Sequence, residues 1–201
     1  KGQAVLKLGN TTMWAACMVL LAGDVATNPG PAISGNDLTL DDIKTTRGLK
    51  IAHLNIRSLR TKTDSLRLEG INNKSVDVLT LSETWLDDST SDAEIEIPGF
   101  MCVRLDRKGF KEGYGGVAIY IKDGLAFRQR NDINTGGYEC LWIELIRNKC
   151  RRTLICCAYR APDVDLNGFI SNLQNSMSAV DLEKSDVVIL GDLNANLMPN
   201  S

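Results

Sequence analysis

The chain has a single histidine, His53, and none of its six cysteines forms a C-x-x-C pair. These shortages argue against the common zinc frameworks, which need closely spaced thiolates or imidazoles. Cys17, Cys102, Cys140, Cys150, Cys156 and Cys157 therefore read as reduced, packed thiols, the pattern of an intracellular chain. An excess of one charge is missing too: 23 Lys+Arg against 25 Asp+Glu leave a net charge of -2. A polybasic coat for nucleic acid is excluded, so any such contact has to be a local patch. Long apolar runs are also lacking. The longest, residues 13–22, falls well short of the about 20 residues that cross a bilayer, so no stable membrane span is expected. What is present, 43% hydrophobic residues in a chain of 201, suffices for one globular domain with a tail and excludes disorder throughout.

Residues 1–31 read as a leader. The cationic start (Lys1, Lys7), the apolar run and the small residues Ala22, Gly23 and Ala26 follow the pattern of a secretory signal over 1–26. The next stretch, Gly23-Asp24-Val25-Ala26-Thr27-Asn28-Pro29-Gly30-Pro31, resembles the 2A-type ribosome-skipping peptides that end in Asn-Pro-Gly-Pro. That resemblance implies that the Gly30–Pro31 bond is never made. Ala26 stands where the peptides usually carry an acidic residue, and a simple turn is the alternative reading. Residues 32–48, rich in Ser, Gly, Asn, Asp and Thr, read as a linker.

From residue 49 to 201 short apolar runs alternate with polar, glycine-bearing joints, which predicts a layered α/β (α+β) domain. Candidate strands are 50–55, 76–82, 100–104, 116–122, 139–145, 153–159 and 186–190. Leu166, Phe169, Ile170, Leu173, Met177 and Val180 form one stripe of an amphipathic helix, and a weaker helix is expected over 60–72 with Leu59, Leu66 and Ile71 inward. The informative feature is how the buried strands end. Leu54-Asn55, Leu81-Ser82-Glu83, Ala158-Tyr159 and Leu190-Gly191-Asp192-Leu193-Asn194 place polar groups where apolar strands stop. Such ends converge on one rim of a sheet, where these folds keep their sites. Asn and carboxylate oxygens without sulfur or imidazole suit Mg²⁺ or Mn²⁺, which would stabilise charge on a phosphoryl oxygen.

The blocks His53-Leu54-Asn55-Ile56-Arg57-Ser58-Leu59, Leu81-Ser82-Glu83-Thr84-Trp85-Leu86, Gly115-Gly116-Val117-Ala118-Ile119-Tyr120-Ile121, Ala158-Tyr159-Arg160-Ala161-Pro162 and Gly191-Asp192-Leu193-Asn194-Ala195 carry a resemblance. In this order they resemble the endonuclease/exonuclease/phosphatase superfamily, with its DNase I-like sandwich, and within it the endonuclease domain of non-LTR (LINE-type) retrotransposons. The resemblance implies that Glu83 binds the metal with Asn55 beside it, and that Tyr159 contacts the scissile phosphate. It further implies that Asp192 orients or activates the attacking water, with Asn194 on the phosphate and Arg57 among the substrate contacts. The implied reaction is Mg²⁺- or Mn²⁺-dependent nicking of double-stranded DNA, leaving a 3′-hydroxyl that primes a downstream reverse transcriptase of the same polyprotein. Work on chromosomal DNA implies an intracellular location, nucleus or cytoplasm, against the export that a working signal would give.

In that family further strands with another acidic residue and a terminal Ser-Asp-His follow the Gly-Asp-Leu-Asn block, whereas this sequence stops at Ser201. The expectation is a domain incomplete at its C-terminus, with little or no nuclease activity as written. His53 lies on the same strand face as Asn55 and reads as a satisfied core histidine rather than a replacement acid. Basic clusters at Arg57, Arg60, Lys62 and Arg67, at Arg104, Arg107, Lys108 and Lys111, and at Arg147, Lys149, Arg151 and Arg152 are either phosphate contacts or ordinary surface charges balanced by acids. Two other functions compete: a phosphoesterase of the same fold on lipid or inositol phosphates, and a non-catalytic transposon relic.

Overall fold

A computed structural model of the chain describes residues 20–22, 48–70, 76–109, 114–134, 137–147, 152–180 and 185–194. The 2A-like stretch, most of the leader and linker, and Cys17, Cys150, Ile71, Lys111, Lys149, Arg151 and Ala195 lie outside the described residues.

The runs rich in apolar and β-branched residues form strands, and two short strands join them. They are β1 (Leu20–Ala22), β2 (Leu49–Asn55), β3 (Val78–Ser82), β4 (Phe100–Leu105), β5 (Val117–Lys122), β6 (Phe127–Gln129), β7 (Glu139–Leu145), β8 (Arg152–Tyr159) and β9 (Ser185–Asp192). They build two mixed sheets, a five-stranded one in the order β1-β2-β3-β5-β4 and a four-stranded one in the order β6-β7-β8-β9. The expected strands are all present within a residue or two at each end. The expectation held neither β6 nor β1, and β1 takes the last residues of the leader's apolar run onto the edge of β2, antiparallel, with Leu20 opposite Ile51.

The sheets pack face to face. Ile51, Val78 and Ile119 of one sheet meet Ile143, Ile155 and Leu190 of the other in a shared cluster. The outer face of the first sheet, with Leu54, Leu81 and Tyr120, is covered by Leu59, Leu86, Ile95 and Ile97. The outer face of the second, with Trp142, Leu154 and Cys156, is covered by Phe169 and Leu173. Both sheets are thus covered on both sides, which is why β3 and most of β8 are buried along their length rather than at alternate residues.

Phe169 and Leu173 come from the amphipathic helix, Leu166–Ser178, whose first turn is capped by Asp165 accepting from the Gly168 N–H at 2.6 Å. The helix expected over 60–72 is shorter and different in kind. It is a helical turn at Thr63–Ser65 running into a wider π turn at Leu66–Gly70. The Lys62 ammonium donates back to the carbonyls of Ile56 and Arg57, and the Thr63 hydroxyl to Leu59 O, so local polar bonds and the burial of Leu59 and Leu66 override helix propensity. Among the described residues no helix is long and apolar enough to cross a membrane.

Two parallel pairings position the site. β2 runs parallel to β3 with Asn55 opposite Ser82, and β8 runs parallel to β9 with Tyr159 opposite Asp192. Their C-terminal ends therefore emerge on one rim, from both sheets at once.

Candidate active site

Asn55 is the junction. Its Nδ2 donates to Glu83 Oε1 at 2.8 Å and to Asp192 Oδ2 at 2.7 Å, joining the end of β2 to residues 28 and 137 positions away. The sandwich thus gathers Asn55, Glu83 and Asp192 into one hydrogen-bonded group. Asp192 Oδ1 accepts the backbone N–H of Asn194 at 3.1 Å, while Asn194 Nδ2 donates to Arg160 O at 2.8 Å. The Asn194 amide is thereby turned onto the backbone after β8. Arg57 reaches Glu83 from the solvent side, Nε to Oε2 at 3.8 Å, with most of its side chain in water. A pair this loose and exposed contributes at most about 1 kcal/mol.

The backbone at this rim is strained in a consistent way. Arg57, Ser58, Glu83, Trp85 and Asn194 all have positive φ, at 43°, 76°, 55°, 54° and 44°. For residues other than glycine that conformation is uncommon and costs on the order of 1 kcal/mol or more each. Surrounding bonds hold it: Ser58 N and Leu59 N donate to the carbonyls of Glu83 and Thr84, and Trp85 N donates to Gly115 O.

Tyr159 packs beside this group, nearly buried, with the Arg107 guanidinium 5.7 Å from its ring centre. Burial, reinforced by the negative charge of Glu83, pushes its phenol up to about 12, so the hydroxyl stays protonated and able to donate at neutral pH. His53 lies one pleat deeper on the same strand. It is 2% exposed, with Nδ1 3.0 Å from the Thr80 hydroxyl and Nε2 3.4 Å from the Ser82 hydroxyl. Burial lowers its pKa to about 4 despite the opposing charge of Asp192, which leaves it neutral and within the sandwich, away from the open rim.

The sequence reading missed two groups. Arg160, nearly buried, donates to the carbonyls of Leu193, Asn194, Ala161 and Val164 and clamps the turn after β9 to the turn after β8. Arg107 pairs with Glu139, whose other oxygen accepts the Gly116 N–H. Gly115 makes room for that guanidinium, since a Cβ there would stand 2.5 Å from Arg107 Nη2. Both arginines sat in basic or family-like blocks, but each has a partner more than thirty residues away and no local pattern marks it. Among the described residues the other basic side chains are mostly neutralised: Arg60 by Glu94, Arg67 by Asp64, Arg104 by Asp106, Lys108 by Asp88 and Arg152 by Glu144. Arg147 donates to the Thr153 hydroxyl.

The oxygen set fits a hard divalent cation. Asn55 Oδ1 is buried without a hydrogen-bond partner among the described residues, and two carboxylates approach the same amide. Among the described residues no three His, Cys, Asp or Glu side chains come together, so a cation here would complete its shell with water.

Two mixed sheets packed face to face, with acidic and amide groups at a shared rim, define the DNase I-like class of α/β sandwich. The chain belongs to the Endonuclease/Exonuclease/phosphatase family, whose model matches residues 50–199. That family is hydrolytic and includes nucleases. Similar solved structures include an AP endonuclease from Leishmania major (TM-score 0.58, 22% identity, covering 73% of this chain and 55% of that one). The endonuclease domain of TRAS1, a telomere-specific non-LTR retrotransposon, is another (TM-score 0.53, 14% identity, 74% and 62% covered). The APE2 catalytic domain of Xenopus laevis is a third (TM-score 0.53, 18% identity, 72% and 58% covered). The likeness is one of fold, and this chain spans less than two thirds of each of these structures. No curated protein sequence matches the chain.

Proposed function

We propose that the chain carries the DNA-nicking site of a non-LTR retrotransposon endonuclease, a metal-dependent phosphodiesterase acting on double-stranded DNA. The observation that carries this reading is the Asn55 amide bonded to both Glu83 and Asp192 across the two sheets. Glu83, with Asn55 Oδ1, would hold the cation, which when bound supplies charge stabilisation to the phosphoryl oxygens. Asp192 takes a proton from the attacking water, oriented by the hydrogen bond from Asn55 and by the Asn194 N–H. Water oxygen bonds to phosphorus, the bond from phosphorus to O3′ breaks, and O3′ leaves with the bonding electron pair and takes a proton from solvent water, so the strand is left with a 3′-hydroxyl. Tyr159 gives a phosphate oxygen a hydrogen bond from its phenolic hydroxyl, Asn194 adds the amide N–H that the Arg160 carbonyl does not take, and Arg57 lends positive charge at the rim. The product is a primer for a reverse transcriptase in the same polyprotein, and the place of work is chromosomal DNA. TRAS1 among the similar folds, together with the Ser-Glu-Thr-Trp-Leu block, favours this branch over inositol or lipid phosphoesters.

The test is relaxation of supercoiled plasmid in Mg²⁺. It is run on this chain and on a version carrying the strands that the family places after Gly-Asp-Leu-Asn. Nicking that disappears with EDTA, and falls at least about 100-fold in Glu83→Gln and in Asn55→Asp, is the expected result. Asn55→Asp replaces a shared donor by a third negative charge between two carboxylates. Nicking unaffected by either substitution would refute the assignment.

A further inference from the structure

Beside the phosphodiesterase site lies a cleft of about 380 Å³ lined by Glu83, Trp85, Arg107, Tyr114 and Tyr159. Trp85 and Tyr114 pack at 5.4 Å between ring centres with a 57° tilt. Tyr114 is 59% exposed and Trp85 is half-buried. An aromatic pair open to water at a catalytic rim serves no core, because the apolar clusters of the sandwich close without either ring.

The backbone displays Trp85 at a cost. Glu83 and Trp85 both hold positive φ, whereas the intervening Thr84 is fully buried. The chain leaving β3 therefore presents residue 83 and residue 85 to the same cleft. The Trp85 N–H donates to Gly115 O at 2.8 Å, tying the strained turn to the glycine that also makes room for Arg107. Strain held by several independent bonds next to a reactive group marks a position kept for function.

We infer that the Trp85–Tyr114 pair is a stacking subsite for a nucleobase adjoining the phosphate at Glu83, so that the duplex is engaged where that base is flipped or frayed, and a single strand, whose base faces are open, binds this cleft more tightly than closed duplex. The inference rests on the phosphodiesterase reading and deepens it. In a duplex the base faces are covered by their neighbours and only edges are offered. A single-stranded, flipped or frayed nucleotide offers a π-face that an indole or phenol ring can cover. The Arg107–Glu139 pair forms a fixed back wall rather than a free phosphate clamp, so aromatic stacking supplies the selectivity of this cleft.

The experiment is equilibrium binding of a short fluorescein-labelled single strand, and of the same sequence as a duplex, to the full chain in EDTA, with inorganic phosphate as competitor. The single strand is expected to bind more tightly than the duplex, to quench indole fluorescence, and to resist displacement by phosphate. Trp85→Leu, which keeps apolar bulk, should weaken single-strand binding roughly tenfold, whereas Trp85→Phe, which keeps a ring, stays within about twofold. Neither should alter duplex binding by more than about twofold. Equal Kd values for strand and duplex, or a Trp85→Leu chain that binds the strand as tightly as the unchanged chain, would overturn the subsite. Plasmid nicking that depends on Glu83, alongside strand binding indifferent to residue 85, rejects the stacking and keeps the phosphodiesterase. Binding that depends on residue 85 without nicking in any form rejects the phosphodiesterase and keeps the stacking.

Discussion

At the scale of single residues the chemistry turns on side chains whose surroundings set their protonation. His53 is the clearest case. Burial holds its folded pKa near 4, whereas the unfolded chain takes up a proton near the ordinary value of 6.5. Between those limits the unfolded state binds more protons, so the stabilisation is complete above pH 6.5 and is lost as the pH falls towards 4. The loss over that window is on the order of 3 kcal/mol. Urea midpoints measured from pH 7 to pH 4.5 should fall steeply, and His53→Gln should remove most of the slope. Arg160 is the structural counterpart, a buried guanidinium spending its donors on the carbonyls of two turns. Arg160→Met leaves those carbonyls short of donors and is expected to lower unfolding stability by about 3 kcal/mol by denaturant titration.

At the scale of elements the placement of the site depends on how closely β8 and β9 approach. Gly191 makes that approach feasible, since a Cβ on it would stand 1.7 Å from the Ala158 carbonyl oxygen. Gly191→Ala must push the strands apart directly before Asp192. A loss of at least about 3 kcal/mol is expected, with a larger loss of nicking than the unfolded fraction explains. The helix over the second sheet offers a milder perturbation far from the rim. Asp165→Ala removes its cap, and a decrease of about 1 kcal/mol in stability with unchanged DNA binding is the expected outcome. The expected strands were legible because runs such as Val-Leu-Thr-Leu-Ser and Thr-Leu-Ile-Cys-Cys-Ala-Tyr are buried on both faces. β6 was not, because Phe127–Gln129 is half-buried or exposed and too short to carry a period.

For the whole molecule, balanced charge, together with cations that are largely paired among the described residues, predicts a shallow response to salt. With Arg57 and Lys62 the main basic groups at the rim, the slope of log K against log salt for duplex binding should be about -2, far from that of a polybasic binder. Fluorescence titrations across a salt series check this, and a much steeper slope would locate the DNA on another face. By itself the sequence determined the layered α/β class, the strands and the long helix, and it marked Asn55, Glu83, Tyr159, Asp192 and Asn194 as polar ends of apolar runs. Those features are local in the chain, where hydrophobic period and abrupt polarity can be read. Only the tertiary structure decided that one amide bridges Glu83 and Asp192, that Asn194 turns onto the Arg160 carbonyl, that Arg107 is committed to Glu139, and that Trp85 faces the cleft beside Tyr114. The reason is separation along the chain. Contacts between residues tens to more than a hundred positions apart exist only once two sheets close on a shared core, and no spacing rule in one dimension encodes which strand ends will then be neighbours.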